Sequence, residues 1–243
     1  MSIIYFTADS HIGHPRVAEL RGFGSVEEHD AWYAEMWRSK IRSRDQVYIL
    51  GDIAVHHPQK ALDLLVTLPG TKHLVAGNHD PVHPMFVSGY NRWYRKFADV
   101  FATISQTRTV KVNGEPVTLS HFPFAAWGDG EGRPGSRYDE WRVPDTGRPL
   151  LHGHTHGRER AHGNSLHVGI DAWGQPVPES WVAEWLAREE RRPLEPWLGG
   201  GFATPPGSLP CQTTVCYPGP DRTLANHRAQ GRFFRCSHDL EGL

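Results

Sequence analysis

The sequence predicts an α/β fold in which helices cover a sheet. Short apolar runs, typical of buried strands, recur along the chain, and amphipathic helical stretches separate the first three of them. Each run ends in Asp, Asn or His. Because ligands of open α/β sheets bind at the carboxyl ends of the strands, these polar residues predict where the functional site lies.

The first two strands are predicted from SIIYFTADSH, which ends at Asp9, and from DQVYILGD, which ends at Asp52. A predicted helix over 26–41 lies between them. Ser25 and Glu28 have the spacing of a capping box at its start. One side of this helix carries an apolar stripe of Tyr33, Trp37 and Ile41.

The third strand is predicted from TKHLVAGNHD, after a second predicted helix. Pro58 can open that helix, and Pro69-Gly70 closes it. The runs PVTLSH and RPLLHGHTH then repeat the strand pattern, each with histidine at its end. NSLHVGIDAW predicts another strand and PESWVAEWLAREE a closing helix, whose Trp181 and Trp185 we interpret as core residues.

One catalytic domain is predicted over residues 1–190, since a chain of 243 residues suffices for one domain with an appendage. Residues 191–243 are rich in Gly and Pro without apolar periodicity, which predicts a poorly ordered tail. The spacing of the tail's cysteines and histidines is too loose for a zinc ribbon. These residues are Cys211, Cys216, His227, Cys236 and His238.

Composition and charge argue against several classes of protein. Lys and Arg total 26 against 27 Asp and Glu, so a net charge of -1 gives no sign of non-specific nucleic-acid binding. The first residues lack the basic region of a signal peptide, and no apolar run approaches the roughly 18 residues of a membrane span. We therefore expect a soluble, cytoplasmic protein with no membrane partner. Histidine, at 16 residues, is the unusual count, and it is the commonest metal ligand.

Polar clusters with metal-binding side chains follow the strand-like runs. They are Asp9-Ser10-His11, Gly51-Asp52, Gly77-Asn78-His79-Asp80, His121, and His154 with His156. A turn has a use for Gly or Asn but none for His, so the third and last clusters are the most specific. The donors are too many and too rich in oxygen for one closed tetrahedral zinc ion, which favours a catalytic metal site.

In this order the clusters resemble the motifs of the calcineurin-like metallophosphoesterases. These are Asp-x-His at 9–11, Gly-Asp at 51–52, Gly-Asn-His-Asp at 77–80, a lone His at 121 and Gly-His-x-His at 153–156. The resemblance spans about residues 1–190 and is closest to small bacterial and phage members. It implies an α/β/β/α sandwich of two packed mixed sheets flanked by helices. Many relatives carry a second Asp where this chain has Val55.

The resemblance also implies a site for two divalent or mixed-valence metal ions. Asp9, His11 and His156 would hold one ion, Asn78, His121 and His154 the other, and Asp52 would bridge them. A hydroxide between the ions would attack phosphorus in line. His79 would protonate the leaving alkoxide, and Asp80 would orient His79. Mn, Fe, Zn, Ni and Mg all suit such donors, and we expect Mn to support activity in vitro.

The expected partner is a small phosphorylated substrate, with a nucleotide or an oligonucleotide among the candidates. The loop 122–147 carries aromatic and Arg residues that suit a base and a phosphate, although a loop of this length could use them for a small core of its own. They are Trp127, Arg133, Arg137, Tyr138, Trp141 and Arg142. The stretch YNRWYRKF at 90–97 also has two interpretations. It either binds substrate or forms a helix with a basic, solvated face.

Other histidines stand near the motifs. His14, His56 and His57 would lie at the mouth of the site, where they either touch a phosphate or are exposed loop residues. His152 is expected to be packed or bonded to backbone.

Three functions are compatible with these motifs. The first is hydrolysis of a small phosphodiester or phosphomonoester, and the second is a phosphoprotein phosphatase with the same site. The third is a non-catalytic interaction scaffold, a role found in relatives that have lost site residues. This chain has lost none of its expected ligands and retains His79, which favours an enzyme.

Overall fold

A computed structural model describes residues 2–125, 129 and 137–188 of the chain. The strands are β1 Ile4–Thr7, β2 Gln46–Ile49, β3 Thr71–Val75, β4 Thr103–Ser105, β5 Thr107–Val112, β6 Glu115–Ser120, β7 Leu150–His152, β8 Ala161–His162, β9 Ser165–His167 and β10 Val177–Pro178. The helices are α1 Pro15–Leu20, α2 Val26–Lys40, α3 Pro58–Leu65, α4 Tyr90–Ala98, α5 Ile170–Trp173 and α6 Glu179–Leu186.

The strands form two mixed sheets. The first has the order β10-β1-β2-β3-β4, with β1 to β4 parallel and β10 antiparallel to β1. The second has the order β5-β6-β7-β9-β8, in which β6, β7 and β9 are parallel and the two outer pairs are antiparallel. A parallel bridge between Ala8 and Gly169 links the loops that follow β1 and β9.

Two apolar cores define the layers. One core joins a face of the first sheet, through residues such as Val47 and Leu74, to the helices, through Trp37 and Leu65. The other joins the opposite face, including Phe6, to the second sheet and to α6. The predicted α/β class, with two packed mixed sheets flanked by helices, is confirmed.

Local sequence explains α2. The side chain of Ser25 accepts the N–H of Glu28 at 3.1 Å, and the Glu28 carboxylate accepts the N–H of Gly24 at 2.8 Å. These contacts satisfy two amides that a helix start would otherwise leave unpaired. The helix ends at Lys40, and Ile41 leaves the helical conformation, one residue earlier than predicted.

The stretch NSLHVGIDAW differs from its prediction as one strand. Only Ser165–His167 is strand, and Ile170–Trp173 is the short helix α5. Gly174 ends α5 with φ of 62°, a left-handed conformation that glycine adopts at little cost. The Trp173 indole N–H donates to the His167 carbonyl at 2.6 Å and so folds the helix back onto β9.

The closing helix is present as α6, and both of its tryptophans pack as expected. Trp185 lies in the core between the sheets, and Trp181 packs against that core. The described helices all lack the length and hydrophobicity needed to cross a membrane. The predicted boundary at 190 and the tail 191–243, with its cysteines, lie outside the described residues and stay predictions.

Candidate metal centre

Every predicted donor lies at the carboxyl end of a strand or in the loop that follows it. Asp9 and His11 follow β1, Asp52 follows β2, Asn78 follows β3, His121 follows β6, and His154 and His156 follow β7. The first three strands are neighbours in one sheet, and β6 and β7 are neighbours in the other. Because the two sheets pack face to face, the loops from both reach one site.

A first group of donors consists of Asp9, His11 and His156. The Nε2 atoms of His11 and His156 face each other at 3.1 Å, and Nε2 of His156 lies 4.0 Å from Asp9 Oδ1. All three residues offer an atom within 4.8 Å of the others. His156 donates its Nδ1–H to Asp171, which leaves a lone pair at Nε2 in the neutral ring. A lone pair turned toward a second imidazole nitrogen suits a shared cation.

A second group meets at the amide oxygen of Asn78. That Oδ1 lies 3.0 Å from Nε2 of His121 and 3.0 Å from Nδ1 of His154. His121 donates Nδ1–H to the Leu50 carbonyl at 2.8 Å, and His154 donates Nε2–H to Asp129 at 3.2 Å. Both neutral rings therefore turn lone pairs toward the same oxygen. Two imidazole nitrogens and an amide oxygen around one point fit a cation.

Asp52 lies between the two groups. Its Oδ2 is 3.4 Å from Nε2 of His121 and 4.0 Å from Nε2 of His11. Its other oxygen, Oδ1, accepts the backbone N–H of His79 at 3.0 Å. One carboxylate oxygen is thus directed toward histidines from both groups, which is the placement expected of a bridging ligand.

The pKa shifts of Asp52, His154 and His11 favour the protonation states that bind metal. At His156 burial would lower the pKa, but the hydrogen bond to Asp171 outweighs burial and raises it. Burial alone would raise the pKa of the Asp52 carboxyl, but His121, His79 and His11 outweigh burial and lower this pKa to about 2. Burial lowers the pKa of His154 to about 4. Burial, followed by the neighbouring His156, holds the pKa of His11 well below its usual value. Near neutral pH Asp52, His154 and His11 are therefore an ionised carboxylate and neutral imidazoles.

Glycines allow the loops to approach closely. An added Cβ at Gly51 would stand 2.6 Å from the Cα of Gly77 and 2.6 Å from Nδ1 of His121. One at Gly153 would stand 2.7 Å from Oδ2 of Asp9. The Gly-Asp, Gly-Asn-His-Asp and Gly-His-x-His motifs thus begin with glycine because neighbouring loops occupy the space of its side chain.

His79 lies at the edge of the centre. Its side chain is 33% exposed, and its Nε2 is 3.9 Å from Oδ2 of Asp52. Its ring centroid is 5.8 Å from that of His11. His79 is thus near both solvent and the donors.

Asp80 differs from its expected role. Its carboxylate is buried and accepts the backbone N–H groups of Gly77 at 2.8 Å, Asp52 at 2.9 Å and Ile53 at 3.1 Å. It joins the loops after β2 and β3 and does not bond the His79 ring within the described part of the chain. The physical reason is that three amides occupy its oxygens while the His79 ring turns toward solvent.

Three residues behind the donors were not predicted. Asp171 binds His156, Asp129 binds His154, and Arg21 pairs with Asp171. Asp129 also pairs with Arg142 and with Arg137. The only sequence signal for Asp171 was a charged residue inside an apolar run, GIDAW, and the prediction of a strand there concealed it.

The described part of the loop 122–147 packs around Phe122. Tyr138 lies 5.3 Å from the Phe122 ring and Arg142 lies 5.7 Å from it, while Trp141 contacts His83. These contacts favour the interpretation that the loop builds a small core. Trp127 and Arg133 lie outside the described residues.

The remaining histidines divide into buried and exposed groups. His14 is buried, and its Nδ1 accepts the Val17 N–H at the start of α1, so it is not an exposed loop residue. His152 is buried and bonds the Gly153 carbonyl, as predicted. His56 and His57 are exposed and line a cavity of about 510 Å³ beside the β1 loop.

The family model of the calcineurin-like phosphoesterase superfamily domain matches residues 1–169. The chain belongs to the calcineurin-like phosphoesterase superfamily. Among its relatives, the Gene 66 protein of Mycobacterium phage D29 is 39% identical over 195 residues, which cover 76% of this chain and 96% of that protein. The Gene 66 protein of Mycobacterium phage L5 is 39% identical over 196 residues, which cover 73% and 90%.

A solved structure has a similar fold. A protein of unknown function from Aquifex aeolicus, AQ665, superposes with a TM-score of 0.56 at 20% identity, covering 76% of this chain and 99% of that one. At that identity the match concerns the fold alone. Membership of the superfamily indicates a phosphoesterase hydrolase that uses divalent metal ions. Two sets of residues have donor atoms within 4.8 Å of one another and could hold a metal ion: Asp9, His11 and His156, and Asp9, Asp52 and His121.

Proposed function

We propose that the protein hydrolyses a small phosphodiester or phosphomonoester with two divalent metal ions. The observation that carries the proposal is the direction of the lone pairs: His121 and His154 turn theirs toward Asn78 Oδ1, His156 turns its own toward His11, and Asp52 lies between. One ion would be held by Asp9, His11 and His156, and the other by Asn78, His121 and His154. Asp52 would bind both ions.

Divalent ions bound in such a site lower the pKa of water and neutralise charge on phosphoryl oxygens. The residues of the chain supply the rest. Asp129, Asp171 and the Leu50 carbonyl hold the histidine rings in the ligating tautomer. Asp80 holds the Asp52 and Asn78 loops together through backbone amides.

His79 is proposed as the general acid. It lies at the exposed edge of the donors, where the leaving group of a substrate would emerge. Its Nε2, 3.9 Å from the Asp52 carboxylate, would give a proton to the leaving alkoxide oxygen.

The substrate is proposed to be of nucleotide type. The cavity beside the β1 loop is lined by Trp93, His56, His57, Glu27 and by Lys60, which pairs with Asp30, so it offers an aromatic ring together with hydrogen-bonding and charged groups. These side chains support a base or sugar phosphate as the group attached to the scissile phosphate.

The first test is Mn²⁺-dependent hydrolysis by metal-stripped protein of bis-p-nitrophenyl phosphate beside p-nitrophenyl phosphate. Faster turnover of the diester is expected for a nucleotide phosphodiesterase, and the reverse preference would assign a phosphomonoesterase. An absence of turnover of both compounds in protein with two bound ions would contradict the proposed activity on small phosphoesters.

A further inference from the structure

A buried ionic network leads away from His156. The Nδ1–H of His156 donates to Oδ2 of Asp171 at 2.9 Å, and Arg21 donates to both oxygens of Asp171 at 2.8 Å each. The Arg21 side chain is 4% exposed and that of Asp171 is 18% exposed. A bidentate pair of this kind fixes the plane and the position of the carboxylate.

Arg21 also binds the loop after β1. Its Nη2 donates to the carbonyl of Asp9 at 2.7 Å and its Nη1 to that of Ser10 at 3.0 Å. This loop carries Asp9 and His11, both with left-handed backbone at φ of 59° and 47°. One guanidinium thus contacts the backbone that holds two donors and the carboxylate that holds the third.

The network continues on the other side of Arg21. Its Nη1 lies 3.0 Å from Nε2 of His29, whose Nδ1–H donates to Asp30 at 3.0 Å. Asp30 in turn accepts the backbone N–H of Gly13 at 3.0 Å and pairs with Lys60 at 2.9 Å. The network therefore starts at His156 and returns to the β1 loop, so that Arg21 is held from several directions.

The other donor group has separate supports. His121 is held by the Leu50 carbonyl and His154 by Asp129, and neither of these contacts involves Arg21 or Asp171. The two groups share one contact, since Asp9 accepts the backbone N–H of His154 at 3.1 Å. The network behind His156 should therefore affect the ion held by Asp9, His11 and His156 more strongly than the other ion.

We propose that Arg21 and Asp171 are positioning residues that prearrange Asp9, His11 and His156 for one of the two ions. Asp171 fixes the tautomer and direction of the His156 ring, while Arg21 fixes both Asp171 and the β1 loop. This inference rests on the proposed two-ion function. It names two residues whose mutation should weaken the binding of one ion more than that of the other.

The test is calorimetric titration of Mn²⁺ into the metal-stripped full chain. Asp171→Asn keeps the shape of the side chain but removes its charge, and we expect one of two binding steps to weaken about tenfold to a hundredfold, the range for such supporting groups. The other step should weaken clearly less. Arg21→Lys, which cannot form the bidentate pair, should weaken the same step, and the matched change Asp129→Asn should weaken the other.

A structural control separates positioning from loss of stability. Asp45, at the opposite end of β2, accepts the backbone N–H groups of Ile3 at 3.0 Å and Arg42 at 2.8 Å. Asp45→Asn should lower the melting temperature and leave both Mn²⁺ steps unchanged. Wild-type affinity in Asp171→Asn, or equal weakening in Asp45→Asn, would overturn the proposal.

Turnover of the test esters, measured on the same preparations, distinguishes this inference from the proposed function. A wild-type protein that binds two ions without hydrolysis, with one step weakened in Asp171→Asn, contradicts the function and supports the positioning role. Hydrolysis by wild-type protein with unchanged binding in Asp171→Asn supports the function and overturns the positioning role.

Discussion

Individual donor residues carry an unusual backbone. Asp9, His11, Asp52, His154 and His156 all have positive φ, between 47° and 71°. Each such residue costs of order 1–3 kcal/mol, so the surrounding loops must hold it in place. Clustering of this strain in the predicted site is what a functional requirement produces, because packing alone would favour glycine or asparagine at these positions.

Gly51 and Gly114 form a matched pair for testing the close approach of neighbouring loops at Gly51. Both have φ of 86°, but a Cβ at Gly51 would meet the backbone of Gly77 at 2.6 Å, whereas none of the described residues approaches within 4 Å at Gly114. We expect Gly51→Ala to cost roughly 2–5 kcal/mol and to weaken Mn²⁺ binding, since conformational strain and overpacking add. Gly114→Ala should cost roughly 1–2 kcal/mol. Equal losses in urea unfolding would contradict the crowding argument.

His79 and Asp52 separate proton transfer from metal binding. His79→Ala should lower kcat by about 10²–10⁴, the usual contribution of a general acid, and should keep both Mn²⁺ ions. Asp52→Ala should lose turnover and metal together, because Asp52 lies between the two donor groups. Metal content by mass spectrometry and kcat for the test esters check both variants, and equal metal loss in the two would remove the distinction.

At the scale of elements, helix α6 shows how the positions of apolar residues along a helix determine which side chains pack in the core. Its spacing of apolar residues buries Trp185, while Trp181 is half-buried and lies 5.5 Å from the ring of Trp173. Trp185→Ala should therefore cost about 3–5 kcal/mol of unfolding free energy, the range for truncating a large core residue. Trp181→Ala should cost clearly less, and similar urea midpoints for the two variants would count against this view of α6.

The segment between β3 and α4 contains a pH-sensitive contact. His83 is buried, its Nδ1 accepts the N–H of Met85 at 3.2 Å, and burial, followed by the neighbouring His121, lowers its pKa to about 4. The unfolded chain takes up this proton near pH 6.5 and the folded chain only near pH 4, so stability falls as pH drops through that window. The loss approaches about 1.4 kcal/mol per pH unit.

The variant His83→Asn tests this linkage. Asparagine can still accept the Met85 amide but takes up no proton, so the metal-free variant should lose less stability than wild type between pH 7 and pH 4.5. Urea unfolding at several pH values measures the difference. Parallel pH curves for the two proteins would show that His83 does not carry the effect.

At the scale of the whole molecule, the described members of the two apolar cores lie within residues 5–186. The family model matches residues 1–169. A chain ended at Glu190 should therefore keep the melting temperature and both Mn²⁺ binding steps of the full chain, because it retains every core residue that the structure describes. A large drop in melting temperature would show that residues beyond 190 contribute to the catalytic domain.

Much of the fold and the site could be predicted from local sequence. The strand-like runs place Asp9, Asp52 and Asn78 at the carboxyl ends of β1, β2 and β3, and neighbouring parallel strands bring such ends together. The capping residues of α2 were also readable, since they act over three or four positions. The short helix α5 was missed because apolar runs of that length do not separate helix from strand.

The sequence by itself determined which residue types stand after each strand, and thereby the family and the donors available to metal ions. Only the tertiary structure decided how they pair. His11 meets His156 across 145 positions, Arg21 meets Asp171 across 150, and Asp80 bonds amides where an imidazole was expected. Periodicity and capping report contacts within a few residues, whereas these contacts depend on how two sheets pack and which loops then come within hydrogen-bonding distance.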